Sequence, residues 1–242
     1  MFFKTSGIVL HSIKYSDTSL VATIYTQSHG RQSFLIQGVY RKKSGFSPTL
    51  FQPLTLLDLE ISVTPKRELQ RIKEVSVSNP FHSLPYDHTK SAIALFLSEI
   101  LYKTLREEET NQAMFGYLFH SIQLLDAMEY GTANFHLWFI VHLTKYLGFF
   151  PVDNYSTENC MFDAANGRFY EPLMIKPSEN DLIIARLLHD ILNTIPENLR
   201  NINLNHHTRN LLLKHVVEFY HFHLGGLGTI KSMPVLKQVF DN

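Results

Sequence analysis

The chain has 242 residues, 45% of them hydrophobic and 18% charged, with 22 basic and 22 acidic side chains. That length holds one large domain or two small ones without covalent staples, and the composition excludes a disordered or fibrous protein. A single cysteine, Cys160, excludes an intramolecular disulfide and any zinc site built from several cysteines, and it fits a reducing compartment.

In chain order, Met1-Phe2-Phe3-Lys4 is followed at once by polar residues, so no secretory leader is expected there. Gly7-Ile8-Val9-Leu10 opens a strand. Thr18 to Thr26 alternates, with Leu20, Ala22 and Ile24 on one face, and Ser28-His29-Gly30 is turn chemistry. Arg31 to Tyr40 reads as a third strand. A fourth is bracketed by Pro48 and Pro53 and alternates at Leu57, Leu59 and Ile61. Leu69 to Val77 reads as a fifth, with untidy alternation around Gln70-Arg71-Ile72. Five short strands without a convincing helix predict a small closed or partly closed barrel. Oligonucleotide-binding (OB) and SH3-like barrels both fit, and pattern alone does not separate them.

From Asn79-Pro80 onward the period becomes helical. Apolar residues recur at helical spacing over Asp87 to Leu105, Asn111 to Met128, and Thr132 to Leu147, the last with Gly148 as its C-cap. Ser178 to Asp181 forms a capping box ahead of a further helix. Asn205 caps a last long one, and a short helix is expected after Ser232-Met233-Pro234. The longest apolar stretches, such as 137–141, fall far short of a membrane span, so a soluble, cytoplasmic protein is expected. The predicted class is α+β and multidomain: a five-stranded OB-type barrel over residues 1–80, then a helical domain over 81–242 with a hairpin-like insertion near 151–172.

Charge divides the same way. Residues 1–80 hold ten cations against five acids, a net of +5, which leaves −5 for the remainder. A basic part joined to an acidic part points to two kinds of partner. Arg41, Lys42 and Lys43, in Gly38-Val39-Tyr40-Arg41-Lys42-Lys43-Ser44-Gly45, are three consecutive cations between glycines at the end of a strand. Such a loop suits a phosphate backbone. Arg31, Lys14, Lys66, Arg67, Arg71 and Lys73 would extend the groove, and Tyr40 and Phe46 flank the loop as candidate base-stacking residues.

No catalytic constellation is apparent. There is no Walker-type glycine loop, no His-Glu-x-x-His and no Gly-x-Ser-x-Gly. Asp58 and Glu60 share a strand face and read as solvating acids. Adjacent His206 and His207, and His221 and His223 two apart, do not share one helical face. No cofactor and no metal is expected.

Gly7 to Leu10, Tyr15-Ser16-Asp17-Thr18, Tyr25 to Gly30, Gly38 to Ser44 and Leu50-Phe51-Gln52-Pro53-Leu54 together resemble the opening of the bacterial recombination mediator RecO family. Phe96-Leu97-Ser98-Glu99, Leu105 to Glu109, Leu147-Gly148-Phe149-Phe150-Pro151 and His223-Leu224-Gly225-Gly226 extend the resemblance across nearly the whole chain. It implies an OB fold that binds single- and double-stranded DNA and anneals complementary strands. It implies that, with RecR, the protein loads RecA onto strands coated by the single-strand binding protein SSB, as a non-enzymatic member of the RecFOR pathway associated with the nucleoid. Many RecO proteins carry four zinc-binding cysteines after the Gly-Pro junction; here the matching segment, 154–170, has only Cys160, so a metal-free remnant with a hairpin turn at 162–169 and a half-buried structural cysteine is expected. Two other readings stay open from the residues: a protein–protein scaffold whose barrel no longer binds DNA, and a nucleic-acid enzyme with dispersed acids.

Overall fold

The computed structural model describes residues 2–41, 45–65, 67–106, 109–173 and 176–241. The chain divides into two compact units, Met1–Ala127 and Met128–Asn242.

The first unit is built on β1 (Phe3–Lys14), β2 (Leu20–Thr26), β3 (Gly30–Ile36), β4 (Leu56–Ser62) and β5 (Arg71–Val77), in the order β3-β2-β1-β4-β5, all pairs antiparallel. β1 is far longer than its Gly7–Leu10 signal because it carries a ladder on both edges, with β2 along one and β4 along the other. Gly7 lies where core side chains converge: a Cβ there would sit 2.7 Å from both Ile24 and Leu59. The expected alternation holds, and Leu20, Ala22, Ile24, Leu57, Leu59 and Ile61 all enter one core with Phe34 and Phe51. Each buried Leu, Ile or Phe among them contributes about 1.5–3 kcal/mol by leaving water.

Two strand bounds differ from the expected ones. The third strand, expected from Arg31 to Tyr40, ends at Ile36, because residues 37–40 turn and Arg41 N–H bonds Gly38 C=O. Pro48–Phe51 forms a 3₁₀ turn capped by Ser47, so β4 begins only at Leu56. The sheet is not closed, which the expected closed or partly closed OB-type barrel allows: β3 and β5 remain edges of the sheet, joined among the described residues by one isolated parallel bridge between Phe34 and Gln70. Leu35 N–H donates to Gln70 C=O at 3.2 Å and Gln70 N–H to Ser33 C=O at 2.7 Å. The break in alternation at Gln70 is therefore structural. This residue leaves the β4–β5 ladder to meet β3, and β5 starts one residue later.

Helices α1 (His88–Thr104) and α2 (Gln112–Ala127) complete the unit. Asp87 caps α1 by accepting from Lys90 N–H at 2.9 Å. A bulge in β1 between Val9 and His11 interrupts the ladder, and Ser98 of α1 hydrogen-bonds the carbonyl of Leu10 there. Asp126, at the end of α2, anchors the connector before α1. Its carboxylate accepts from the backbone N–H groups of His82, Ser83 and Leu84 at 2.7–2.9 Å, and Lys90 Nζ donates to its carbonyl at 2.7 Å. Burial of this carboxylate opposes its ionisation, but the backbone donors outweigh that, and its pKa lies below the ordinary value.

In the second unit α3 (Thr132–Leu147) is the central element, buried on nearly all sides and ended by Gly148 in the left-handed conformation (φ 86°). Around it are α4 (Glu179–Asn193), α5 (His206–His223) and α6 (Met233–Asp241). The capping box forms as expected, Asp181 N–H to Ser178 Oγ at 3.2 Å and Ser178 N–H to Asp181 at 3.2 Å. Asn205 caps α5 at Thr208 N–H, 2.8 Å. The predicted hairpin is β6 (Met161–Asp163) with β7 (Arg168–Tyr170). Its holding groups are not thiolates. The Asn154 side-chain amide bonds both the N–H and the C=O of Phe169 at 2.9 Å, and Phe169 is buried against Tyr155 and Phe162. Cys160 is half-buried.

His136 of α3 is fully buried against Phe240 of α6, ring centroids 5.4 Å apart, and Arg209 of α5 lies over the same phenyl ring at 5.0 Å. Burial, helped by the Arg209 charge, lowers the His136 pKa from 6.5 to about 3.

Two stability predictions follow from these buried groups. Asp126→Ala leaves three backbone donors without their acceptor and is expected to cost about 2–4 kcal/mol in urea unfolding, with Asp126→Asn costing less. In wild type the carboxylate's contribution is present above its unfolded-state pKa and is lost as pH falls through the lower folded value. His136 behaves in the same sense for the opposite reason. The unfolded chain takes up a proton below pH 6.5 that the folded one refuses until about pH 3, so stability falls as pH drops through that window. Fluorescence of Trp138, the single tryptophan and also on α3, reads this transition, and His136→Phe is expected to flatten it.

Candidate nucleic-acid interface

The seam between β3 and β5 widens into a groove of about 410 Å³ beyond the Phe34–Gln70 bridge. Leu35, Ile36 and Gln37 form one wall, Leu69 to Ile72 the other, and Phe46 and Arg67 complete it. Gln70 positions the cationic wall. Its buried side chain accepts from Thr64 N–H at 2.8 Å and donates to Arg67 C=O at 2.7 Å and Thr64 C=O at 3.2 Å. The β4–β5 turn that carries Arg67 is thus tied to a polar group inside the sheet, which a pattern of apolar alternation does not reveal.

Arg67 and Arg71 are brought together in this groove, both exposed, and neither forms an ion pair among the described residues. Lys14, Tyr40 and Arg41 gather at the neighbouring end of the sheet. Register places Lys14 opposite Leu20, and Leu20 opposite Ile36. The next residues along β3 make the turn in which Arg41 N–H bonds Gly38 C=O at 2.9 Å, with Gly38 at φ 73°. Tyr40 N–H reaches back to Thr18 C=O at 3.5 Å, which sets this turn beside the β1–β2 turn. Arg41 is exposed, and Lys14 meets Asp17 at 3.4 Å, with both side chains in solvent. Lys42, Lys43 and Lys66 lie outside the described residues. Phe46 packs on the sheet core while lining the groove, whereas Tyr40 stays 46% exposed.

Two other basic side chains are engaged elsewhere. Arg31 leaves the far end of β3 and donates to the carbonyls of Tyr102 and Leu105 at 2.8 and 2.7 Å, its guanidinium stacked 4.6 Å from the Tyr102 ring. It fills the place of a C-terminal cap for α1, satisfying carbonyls that a helix end leaves open. The His11 ring also meets Tyr102, tilted, with ring centroids 4.6 Å apart. Burial draws the Arg31 pKa down, yet a guanidinium remains charged. Lys73 pairs with Glu60 at 2.8 Å and Glu74 at 3.9 Å and lies over the Phe2 ring. The hydrogen bond to Glu60 raises its pKa. Asp58 and Glu60 line, with Glu74 and Lys4, a separate surface groove across β1, β4 and β5.

Among the described residues no group of three His, Cys, Asp or Glu side chains is placed to hold a metal ion, and no helix is long and apolar enough to cross a membrane.

The roles of Arg31 and Arg71 separate in a stability measurement. Arg31→Ala is expected to cost about 2–3 kcal/mol in urea unfolding, because two hydrogen bonds from a charged donor disappear. Arg71→Ala, on the open wall, is expected to stay within about 0.5 kcal/mol of wild type.

Residues 1–81 match the family model described as recombination protein O N terminal, and residues 85–234 match recombination protein O C terminal. Among curated proteins, the chain is 40% identical over 246 residues to "DNA repair protein RecO" of Bacteroides fragilis, with full coverage of both chains. It is 39% identical to the proteins of the same name from Phocaeicola vulgatus and Flavobacterium psychrophilum, again over the full length of each.

Proposed function

The chain belongs to the RecO family of DNA repair and recombination proteins, and from that premise we propose that residues 1–80 hold DNA while residues 81–242 recruit partner proteins. The observation that carries the reading is the groove at the β3–β5 seam. It sets Arg67 and Arg71 on one wall and opens beside Lys14 and Arg41, with no carboxylate partner for either arginine of the wall among the described residues. Cations left in solvent at the rim of a sheet are available to a polyanion, whereas Lys73 is already paired and Arg31 already caps a helix. Lys42, Lys43 and Lys66, by their positions in sequence beside Arg41 and Arg67, add three more cations to the same loops.

Binding of this kind neutralises phosphates and is sequence-tolerant and salt-sensitive. It suits a mediator that works on whatever strand damage exposes, without chemistry of its own. The protein is proposed to bind single- and double-stranded DNA, to anneal complementary strands and, with RecR, to load RecA onto strands coated by SSB. The acidic excess of residues 81–242 supports a protein-binding rather than a DNA-binding role for that part. The proposed location is the cytoplasm, at the nucleoid.

The test is a fluorescence anisotropy titration at two salt concentrations. Changing Arg41, Lys42 and Lys43 together to alanine, or Arg67 and Arg71 together, is expected to weaken binding to all sequences alike. Each lost phosphate contact should reduce the slope of log affinity against log salt by roughly one. Affinity and slope equal to wild type in both variants would remove the groove from the interface. No measurable DNA binding by wild type at low salt would favour a scaffold instead.

A further inference from the structure

We propose that Tyr15 and Tyr40 form a stacking platform for unpaired bases, and that this platform, rather than the cationic groove, selects single strands over duplex. The inference rests on the DNA-binding reading above and adds a specificity element to it. Tyr15 belongs to the β1–β2 turn, where its N–H bonds Ser19 C=O at 2.9 Å. Tyr40 belongs to the turn after β3, and its N–H bonds Thr18 C=O within that same β1–β2 turn. Backbone contact therefore places the two tyrosine-bearing turns side by side at one end of the sheet.

Both rings are left in solvent. Tyr15 is 63% exposed and Tyr40 46%, and neither ring packs on another aromatic among the described residues. Phe34, Phe51 and Phe96 lie in the interior, and Phe46 packs on the sheet core; Phe2 and Tyr86 are also exposed, but Phe2 lies under Lys73, which is paired with Glu60, and Tyr86 belongs to the connector before α1. Each exposed ring also has a cation as its chain neighbour, Lys14 before Tyr15 and Arg41 after Tyr40. Ile13, 51% exposed, adds apolar surface beside them.

An aromatic face next to a cation is the pairing that holds a single strand, base on ring and phosphate on charge. Every base offers a π-face, so the preference is for unpaired strands and not for a sequence. In a duplex those faces are occupied by neighbouring bases, and only the phosphates remain to be gripped. The cations consequently serve both forms of DNA, and the rings serve one.

The experiment compares intact wild-type protein with the double variant Tyr15→Ser/Tyr40→Ser and the control Tyr15→Phe/Tyr40→Phe. Each is titrated with labelled oligothymidylate and with a duplex of the same length, at two salt concentrations. The serine pair is expected to lose about tenfold or more in single-strand affinity. Duplex affinity and the salt slope should stay near wild type, since no phosphate contact is removed, and the phenylalanine pair should bind like wild type. Unchanged single-strand affinity in the serine pair overturns the proposal. A proportional loss on both DNAs also overturns it, because that pattern belongs to a disturbed turn rather than to missing rings. If wild type binds neither DNA, the reading of the groove fails first and the platform falls with it.

Discussion

A curled five-stranded sheet must either complete its ring of hydrogen bonds or leave two edges, and Gln70 makes the contact between the two edges here. Its backbone joins β3 in one parallel bridge, while its side chain holds the turn from Thr64 to Arg67. A buried amide is costly unless its donors and acceptor are met, and here three bonds meet them. The same residue that makes this bridge therefore also holds the turn beside the gap, with Arg67 and Arg71 along it.

Net charge said little about which cations face solvent. The N-terminal excess of +5 divides into side chains with different tasks. Arg31 serves the end of α1 and Lys73 offsets the carboxylate of Glu60, whereas Arg41, Arg67 and Arg71 stand at turns and edges with no acid against them among the described residues. The distinction is one of neighbours. A guanidinium reaches carbonyls of a helix distant in sequence as readily as it reaches a phosphate, and both uses follow from its fork of donors.

In the second unit the segment 154–170, with its single cysteine, is held without paired thiolates. Asn154 bonds both sides of Phe169 as a neighbouring strand would, and Tyr155, Phe162 and Phe219 enclose the hairpin in ring contacts. Directional amide bonds plus aromatic burial give the loop a fixed path, the task that paired thiolates on a metal perform elsewhere.

Local chemistry by itself determined most of the element order: alternation marked the strands and their core faces, and helical periodicity with Gly148, Ser178 and Asn205 marked the helices and several of their caps. Those signals survive because each is set within a few residues, by side-chain direction or by one capping bond. The charged loop and its flanking aromatics were equally visible as residue types. What only the tertiary structure decided depends on partners far apart in the chain. The reach of β1 was set by ladders on both its edges, the open seam by Gln70 meeting Phe34, and the task of Arg31 by the carbonyls of Tyr102 and Leu105. The pairing of the Tyr15 and Tyr40 turns was settled by one backbone bond to Thr18. A side chain's local pattern states that it is cationic, polar or aromatic. Only the assembled fold states what stands opposite it, and that neighbour decides whether the group is satisfied within the protein or left for a ligand.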